Sequence, residues 1–393
     1  MQNGALPPAE KPAYEIEKSE RILTPALVVY PELVARNCQT MLRLLGGNAS
    51  RWRPHIKTAK LASTVRILVE HGILELKCAT TLELLTACSA GAKDVLVAYP
   101  AGGAAVQRIR DIANAFPDVS VSALVESPAM IEPWAGSSIG LFIDINPGMD
   151  RTGIEQERVP EIVGLAQAIG KAKLHFRGLH YYDGHLSGLA LVERTAVAHR
   201  GYDQLMKIAA AVRAKGIAVE QVITSGTPET PCALSYPGFA GAGFHHQVSP
   251  GTLVYGDSRC QQELPPDWGI QPAALVLAHV VSHPKPGVVT CDAGHKTVAV
   301  DAGVPNCRVL GHDELLPGKP SEEHLPMEVA AGRDRPAVGE LLYLLPRHIC
   351  PTVNNFDFAL IVEQGKITRL DRVTARGREN PLILSASRQA SAG

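Results

Sequence analysis

The sequence has almost no net charge and no apolar run long enough to cross a membrane. Its 393 residues include 38 Lys and Arg against 39 Asp and Glu, so the formal net charge is −1. A chain this neutral offers no electrostatic attraction to nucleic acid or to an anionic membrane surface. Residues 1–20 are polar and lack the apolar core and cleavage pattern of a signal peptide. We therefore predict a cytosolic (cytoplasmic) protein that binds neither nucleic acid nor membrane.

Paired cysteines are also missing. The eight cysteines are spread along the chain without a Cys-x-x-Cys pair, which argues against a disulfide framework and against a structural zinc knuckle. We predict that most of them are buried thiols. Cys350 is the exception, because His348 stands two positions before it and suggests chemistry.

No Gly-x-Gly-x-x-Gly follows a predicted strand, which disfavours a doubly wound dinucleotide-binding sheet. Short apolar runs instead alternate with longer helical patterns as far as about residue 255. The alternation contains about seven or eight strand-helix units, which predicts an α/β fold of the (β/α)8 barrel type. An open, doubly wound sheet is the alternative.

Beyond about residue 270 the pattern changes to strands without intervening helices, for example at residues 297–301, which predicts a second, mostly β domain. Hydrophobic residues make up 46% of the chain, as in an ordinary globular enzyme with a sizeable core. The predicted organisation has five parts: a mobile tail over residues 1–20, a first strand over 21–32 that can belong to the β domain, the barrel over 33–265, the mostly β domain over 266–384, and a disordered tail over 385–393.

Residues 53–60, Arg-Pro-His-Ile-Lys-Thr-Ala-Lys, carry four basic side chains. Pro54 biases Arg53 toward an extended conformation, so we predict a strand end or short loop that projects Lys57 into a site, with Thr58 opening a helix. Desolvation and neighbouring cations would lower the pKa of such a lysine, and the free amine can then form a Schiff base with an aldehyde. The alternative is a basic loop that is simply solvated.

The motif Arg-Pro-His-x-Lys resembles the cofactor-lysine motif of the D-threonine aldolase and D-serine dehydratase family of pyridoxal-phosphate (PLP) enzymes, which have the alanine-racemase-type fold. The resemblance continues in order through most of the chain. It implies that Lys57 carries PLP and that His55, in the same motif, helps to bind it. It also implies a homodimer.

In a (β/α)8 barrel the active site lies at the carboxyl ends of the strands, and polar residues follow several predicted strands here. Residues 146–153 resemble the Gly-x-x-Arg-Thr-Gly segment of alanine-racemase-type barrels, which implies a place for Arg151 at the rim; a glycine-rich turn with a structural Arg–Asp pair is the alternative. In residues 178–185, Tyr181 can stack on a pyridine ring and His185 can shuttle a proton. A histidine in a barrel loop is, however, more often structural.

Ser225, Gly226 and Thr227 follow an apolar run and form a turn whose N–H and hydroxyl groups can cradle a phosphate. By resemblance, this turn is the PLP phosphate loop. A later Pro-Gly-Thr segment resembles the one that closes the cofactor site in the family. Leu253 replaces the usual tyrosine there, and Tyr255 is the candidate to take its place.

His348 and Cys350 form the second strong signal. In an extended chain, side chains two positions apart point to the same face, so the pair can converge on one cation. Imidazole plus thiolate favours zinc, with Mn²⁺ or Mg²⁺ as alternatives; a buried thiol beside an incidental histidine is the reading without metal. The pair resembles the His-x-Cys metal site of the D-serine dehydratase branch, whereas D-threonine aldolases carry His-x-Asp. Glu323 and His324, in Glu-Glu-His, and His295, in Asp-Ala-Gly-x-Lys, also match family segments.

The resemblance as a whole implies a PLP-dependent lyase whose small-molecule substrate is a D-3-hydroxy-α-amino acid. The His-x-Cys pair favours dehydration, of the D-serine, D-threonine or 3-hydroxyaspartate dehydratase type, which gives a 2-oxo acid and ammonia. Retro-aldol cleavage to glycine and an aldehyde is the first alternative. An amino-acid racemase, which needs two opposed bases and no metal, and a PLP-carrying homeostasis protein, which would lack the second domain, are the others.

Overall fold

The computed structural model describes residues 14–382, and these residues form two compact units. The barrel unit consists of residues 50–56, 73–249 and 377–382, and the β unit of residues 14–49, 57–72 and 250–376. The predicted C-terminal tail, and the predicted N-terminal tail up to residue 13, lie outside the described residues.

In chain order the strands are β1 (Ala26–Val29), β2 (Glu75–Cys78), β3 (Asp94–Val97), β4 (Ser120–Val125), β5 (Gly140–Asn146), β6 (Ile154–Glu155), β7 (Phe176–Tyr181), β8 (Gln221–Thr224), β9 (His245–Val248), β10 (Ala274–Lys285), β11 (Val288–Cys291), β12 (Cys307–Val309), β13 (Leu315–Pro317), β14 (Leu325–Val329), β15 (Leu341–Pro346), β16 (Phe358–Glu363) and β17 (Lys366–Arg372). The helices are α1 (Pro31–Leu44), α2 (Ala62–Glu70), α3 (Thr81–Ser89), α4 (Ala104–Ala115), α5 (Val159–Lys171), α6 (Leu191–Arg213), α7 (Thr230–Ser235), α8 (Ser258–Glu263) and α9 (Ile349–Val353).

The helices begin and bury their faces for reasons visible in the sequence. Thr80 caps α3 by accepting a hydrogen bond from the Glu83 N–H at 3.1 Å, as Ser and Thr commonly do at helix starts. In α4 the apolar residues Val106, Ile109 and Ile112 are all buried. Their spacing of three residues places them on one face of the helix, which therefore packs inward.

Eight parallel strand positions close the barrel. Strands β2, β3, β4, β5, β7, β8 and β9 lie side by side in that order. The eighth position, which we call the closing segment, runs from Trp52 to His55; Trp52 bridges Val248 in β9, and His55 bridges Lys77 in β2. The Arg53 N–H donates to the carbonyl of Val248 at 3.0 Å. The ring is complete, and the predicted (β/α)8 barrel is confirmed.

A layer of polar residues from seven of the eight strand positions, with a glycine at the eighth, fills the amino-terminal end of the barrel. Arg53 donates to Glu75 and to Asp94, each at 2.6 Å, and Arg177 donates to the other oxygen of Asp94 at 2.6 Å. A Cβ at Gly140 would lie 2.7 Å from the Cγ of Arg177, so glycine makes room for the arginine. The members of this polar layer are Arg53, Glu75, Asp94, Ser122, Gly140, Arg177, Gln221 and Gln247.

The polar layer accounts for Arg53, which the sequence placed in a basic cluster with Lys57. The Arg53 side chain is fully buried and paired with two carboxylates, so its charge is used inside the barrel. Burial raises the pKa of Asp94, but the charges and hydrogen bonds of Arg53 and Arg177 outweigh burial and hold this pKa below its usual value. The layer therefore keeps its ion pairs at neutral pH.

Apolar side chains fill the barrel interior next to this layer. Leu96, Leu124, Phe142 and Ile223 form one buried cluster. Two of these residues lie in register with polar residues of neighbouring strands: Leu96 with Lys77 of β2, and Ile223 with His180 of β7. Polar side chains therefore return toward the carboxyl ends of these strands.

The β unit contains a nine-stranded sheet, which confirms the predicted second, mostly β domain. Its strands follow the order β13, β14, β11, β10, β1, β16, β17, and β15 pairs with both β10 and β12. The pairing of β1 with β16 is parallel, whereas β1 and β10 are antiparallel. Helices α1, α2, α8 and α9 belong to the same unit.

Two local predictions in the β unit are wrong. Residues 297–301 form a turn rather than a strand. Thr58 does not open a helix, because Lys60 has a left-handed backbone with φ 48° that a right-handed helix cannot include; α2 begins at Ala62 instead.

All eight cysteines are buried and free. No helix within residues 14–382 combines the length and apolarity needed to cross a bilayer.

Candidate active site

In the β unit, the predicted cofactor lysine lies beside the predicted metal ligands. The Cys350 thiol is 2.9 Å from the hydroxyl of Thr58, the residue after Lys57, and 3.4 Å from the hydroxyl of Thr252. The positive charge of Lys57 acts on this thiol, which is also hydrogen-bonded with His348. The structure thus brings Lys57, His348 and Cys350 together.

His348 and Cys350 lie where β15 gives way to α9. His348 is the N-cap of α9, with an extended backbone of φ −134° and ψ 107°, and Cys350 lies in the first helical turn. Asp257 holds this helix start by accepting a hydrogen bond from the Ile349 N–H at 3.1 Å. The two side chains do converge, but the predicted reason is wrong, because the chain is helical rather than extended at Cys350.

A carboxylate orients the imidazole of His348. The Oδ2 of Asp301 is 2.6 Å from Nδ1, which leaves Nε2 as the nitrogen available to a cation. Carboxylates commonly orient metal-binding histidines in this way, and imidazole with thiolate is a donor set that zinc prefers. Within residues 14–382 no group of three or more His, Cys, Asp or Glu side chains is placed to share a metal ion. The residues present therefore fit a cation held by two protein ligands, with its other positions open.

The electrostatics of the pair favour the metal-binding form of the thiol. Burial lowers the pKa of His348, but its hydrogen bonds with Cys350 and Asp301 and their charges outweigh burial and raise this pKa to about 9. Burial raises the pKa of Cys350, whereas the hydrogen bond and charge of His348 and the charge of Lys57 lower it below its ordinary value. The thiolate, which is the form that binds metals, is thereby stabilised.

In the barrel unit, the predicted phosphate loop lies at the carboxyl end of β8 and carries a buried hydroxyl that no described residue binds. Ser225 has a left-handed backbone with φ 63°, and its buried Oγ has no hydrogen-bond partner among the described residues. A Cβ on Gly226 would lie 2.9 Å from the Oε2 of Glu229 and 3.0 Å from the Cε2 of Tyr182. Thr227 is also buried. A buried hydroxyl that lacks a partner in a tight glycine turn fits a phosphate group.

Tyr182, which the sequence analysis did not assign, is the aromatic ring at this turn. The guanidinium carbon of Arg151 lies 5.1 Å from the centre of its ring, and the ammonium of Lys77 lies 5.6 Å from it. Tyr181, the predicted stacking ring, is buried, and its hydroxyl donates to Gln156 at 3.2 Å. Counting by two from Arg177, which is interior in the polar layer, points to Tyr181. The pairing of β7 with β5 is irregular between the Leu141–Phe176 and Phe142–Gly178 pairs, so simple alternation does not identify Tyr182.

Tyr181 and His185 together line a cavity of about 300 Å³ beside α6. Asp183, in the same wall, is buried and accepts a hydrogen bond from the Tyr202 hydroxyl at 2.6 Å. Burial raises the pKa of Asp183 to about 6, and partial burial lowers the pKa of His185. The two barrel residues predicted to be catalytic therefore share a cavity, and the catalytic roles stay a prediction.

Tyr255 supports the segment that follows Lys57. Its side chain is fully buried, and its hydroxyl donates to the carbonyl of Ala59 at 2.9 Å and lies 2.8 Å from the hydroxyl of Thr64. These contacts occupy the hydroxyl, so Tyr255 stabilises the chain beside Lys57, the predicted cofactor lysine. His55 bridges β2 through its backbone in the closing segment, and its side chain is half-buried.

The two remaining family segments meet on the surface of the β unit. The ammonium of Lys296 lies 2.6 Å from Glu322 and 3.1 Å from Glu323, and all three side chains are more than half exposed. His295 and His324 lie in the same two loops, which are also joined through backbone hydrogen bonds. Exposed ion pairs contribute little stability. The backbone hydrogen bonds are therefore what chiefly holds the two loops against each other.

Comparison with known proteins gives consistent matches along the chain. Residues 31–259 match the family described as "Alanine racemase, N-terminal domain", and residues 273–362 match "Putative serine dehydratase domain". The chain is 27% identical to the 3-hydroxy-D-aspartate aldolase of Paracoccus denitrificans strain Pd 1222, over 92% of this chain and 94% of that protein. It is 23% identical to the D-threo-3-hydroxyaspartate dehydratase of Delftia sp. strain HT23, over 89% of this chain and 97% of that protein. The crystal structure of D-threonine aldolase from Filomicrobium marinum superposes with a TM-score of 0.83 at 26% identity, over 93% of this chain and 98% of that one.

Proposed function

The chain belongs to the alanine racemase N-terminal domain family, in the D-threonine aldolase and D-serine dehydratase branch of PLP enzymes, and we propose that it dehydrates D-3-hydroxy-α-amino acids. The observation that carries this proposal is the position of Lys57 beside the hydrogen-bonded pair of His348 and Cys350. Dehydration needs a base for the α-proton near a group that assists departure of the β-hydroxyl. The β unit supplies the residues for both roles.

PLP, when bound, withdraws electrons from the α-carbon of the substrate and makes the α-proton acidic. Lys57 would provide the amine that holds PLP, and this amine is the base that we assign to the α-proton of the substrate. Ser225, Gly226 and Thr227 hold the phosphate with their hydroxyl and backbone N–H groups. Tyr182 supplies the aromatic face for the ring.

His348 and Cys350 would hold a divalent cation, for which we propose zinc, and such a cation would stabilise a departing hydroxide. Asp301 keeps the imidazole in one orientation through its 2.6 Å contact with Nδ1. Loss of the α-proton and the β-hydroxide converts the substrate into an enamine. Uptake of water by the enamine then yields the 2-oxo acid and ammonia.

Retro-aldol cleavage is the second candidate. The aldolases share slightly more identity with the chain, 27% and 26%, than the dehydratase does at 23%. In that reaction His348 and Cys350 would serve the β-alkoxide while the Cα–Cβ bond breaks, and the α-proton would stay in place. Cys350 favours dehydration by resemblance, since the D-threonine aldolases carry aspartate at the corresponding position.

The two candidates are separated by their products. The purified protein is loaded with PLP and ZnCl₂ and given D-serine, D-threonine or D-3-hydroxyaspartate, and 2-oxo acid, ammonia and glycine are measured with and without EDTA. We expect equal amounts of oxo acid and ammonia, loss of both after chelation, and recovery with added zinc. Glycine with an aldehyde would establish the aldolase instead, and absence of all products from a PLP-loaded protein would exclude both.

Replacing the carboxylate behind His348 tests the metal site. Asp301→Asn is expected to weaken zinc binding about 10- to 100-fold, because the amide no longer orients the imidazole as a carboxylate does. Zinc affinity is measured by competition with a chromogenic chelator. The matched control is Asp313→Asn, which removes an exposed carboxylate of the same unit that lies 3.7 Å from Arg308. Equal affinity in the Asp301 variant and its control would show that Asp301 does not support a metal ligand.

A further inference from the structure

The Glu-Glu-His segment of the β unit has no role in the proposed reaction, yet its histidine, His324, lines a groove of about 530 Å³. Sites for small molecules span roughly 300 to 1,000 Å³. The lining side chains that matter here are Val281, Ser282, Thr290, Lys319, His324 and Pro326. We propose that this groove binds a small phosphate monoester. The inference goes beyond the proposed lyase reaction and does not depend on it.

The floor of the groove is a row of side chains on the outer face of the β sheet. Thr290 in β11 lies opposite Ser282 of β10 and opposite Pro326 of β14. The neighbours of Thr290 along the strand, Val289 and Cys291, belong to the buried apolar cluster. Alternate residues of a strand point to opposite faces. The hydroxyls of Thr290 and Ser282 therefore stand side by side on the face turned away from this cluster.

The wall of the groove is the loop between β13 and β14, residues 318–324, and backbone hydrogen bonds fix its position. The N–H groups of residues 294–296 donate to three carbonyls of this loop at 2.9 to 3.1 Å. A Cβ on Gly294 would lie 2.2 Å from the carbonyl oxygen of Glu322, so the close approach of the two segments requires glycine. The loop thus presents its two basic side chains to the groove from a fixed backbone.

Thr290 supplies a buried polar group that lacks a partner. The residue is 9% exposed, and its hydroxyl has no hydrogen-bond partner within residues 14–382. Buried hydroxyls normally have one. Ser282, half-buried beside it, also has no side-chain hydrogen bond in this part of the chain. Both hydroxyls are therefore available as donors to a ligand that enters the groove.

The charged groups of the groove favour an anion. The ammonium of Lys319 and the imidazole of His324 make no ion pair or hydrogen bond with any described side chain. The carboxylates of the same loop, Glu322 and Glu323, lie 2.6 Å and 3.1 Å from the ammonium of Lys296. Among the described residues that line the groove, none is acidic. The lining therefore attracts negative charge and has none of its own to repel it.

The number of donors favours a phosphate monoester over a carboxylate. A phosphate monoester brings up to two negative charges and three strong acceptor oxygens, and lysine commonly binds phosphate as a point charge. A carboxylate has one charge, and the planar fork of arginine that suits it best does not occur in the described lining. An ammonium, an imidazole and two hydroxyls match the phosphate group more closely.

The apolar part of the groove favours an organic ester over inorganic phosphate. The register of β10 against β11 shifts between Val280 and Ser282, and this bulge lets both Val281 and Ser282 line the groove. Val281 is 44% exposed there, and Pro326 adds a half-buried apolar surface. The organic part of an ester can cover this surface, whereas inorganic phosphate has no such part.

The experiment uses the PLP-loaded protein after reduction with sodium borohydride, so that trapped cofactor fills the predicted barrel site. Isothermal titration calorimetry compares phenyl phosphate with benzoate, which has the same ring, and with inorganic phosphate. We expect one phenyl phosphate per chain and tighter binding than for either other probe. Equal or tighter binding of benzoate would overturn the choice of phosphate, and equal binding of inorganic phosphate would overturn the choice of an ester.

Substitutions of the basic side chains locate the binding. Lys319→Met is compared with Lys285→Met, which removes an exposed lysine at the end of β10 outside the groove. His324→Gln is compared with His295→Gln in the adjoining loop. The Kd for phenyl phosphate is expected to increase about 10-fold in each groove variant, as for loss of a charge-assisted hydrogen bond. The two control variants are expected to match the wild-type protein, and Lys319→Arg is expected to retain most of the affinity.

Thr290→Val separates binding from stability. It is expected to raise the Kd about 2- to 10-fold through loss of one hydrogen bond. It is also expected to leave the Tm of the ligand-free protein unchanged or higher, since the hydroxyl has no partner to lose. An unchanged Kd in Lys319→Met, His324→Gln and Thr290→Val would place the ligand elsewhere and overturn the inference. So would the absence of any binding of phenyl phosphate.

Discussion

Replacing Lys57 with alanine is expected to remove covalently bound PLP and to lower the rate of 2-oxo acid formation by about 10³- to 10⁴-fold, at the upper end of what one positioned base contributes. Under the proposed function, the variant would lose both the amine that holds PLP and the base for the α-proton. The measurements are the absorbance of the bound cofactor, the mass of the borohydride-reduced protein and the initial rate. Added methylamine is expected to restore part of the rate, since it replaces the missing amine.

Lys60→Met is the control for charge in the same basic segment. The ammonium of Lys60 donates to the backbone carbonyl of Ala375 at 3.1 Å, so its loss removes a structural contact and leaves the amine of Lys57 in place. This variant is expected to keep the borohydride-trapped PLP. If Lys57→Ala retained as much borohydride-trapped PLP as the wild-type protein, the assignment of Lys57 would be contradicted, whatever the rate of 2-oxo acid formation.

Replacing Arg53 with alanine is expected to lower the free energy of unfolding by about 3 to 5 kcal/mol, the range found when one partner of a buried ion pair is removed. The Glu75 carboxylate then loses its arginine, and Asp94 keeps only Arg177 inside the barrel. Urea denaturation, followed by the fluorescence of the neighbouring buried Trp52, measures the change.

Arg158→Ala is the matched control, since Arg158 also pairs with a carboxylate, that of Glu161, but both side chains are half-exposed. Exposed helix pairs of this spacing contribute about 0.2 to 0.5 kcal/mol. A similar small loss in both variants would mean that the polar layer is solvated and contributes no more than a surface ion pair.

The barrel was predictable because short stretches of sequence indicate its individual strands and helices. Each strand is a short apolar run and each helix carries one apolar face, and these features survive in any short window of sequence. A strand end or short loop was predicted at Arg53, but the closing segment was not identified as the eighth barrel position. It forms only isolated bridges, to Val248 far along the chain and to Lys77 near it. Closure of a ring is a long-range property that no local pattern contains.

The candidate site was predictable where a motif names a residue and less so where geometry selects among neighbours. Lys57 and the pair of His348 and Cys350 were selected because their motifs resemble those of a known family, and the structure places them together. The choice between Tyr181 and Tyr182 depends on which face of β7 is interior, and that face is set by the whole barrel.

The polar layer also bears on how the eight strands find their alignment during folding. A shift of one strand by a single residue turns its side chains to the opposite face, and a shift of β2 or β3 would withdraw Glu75 or Asp94 from Arg53. An uncompensated buried charge is far more costly than exchanging one apolar side chain for another of similar size. Barrels with a shifted strand are therefore higher in free energy than the native one, even when they are equally compact. The polar layer thus specifies the register of the strands.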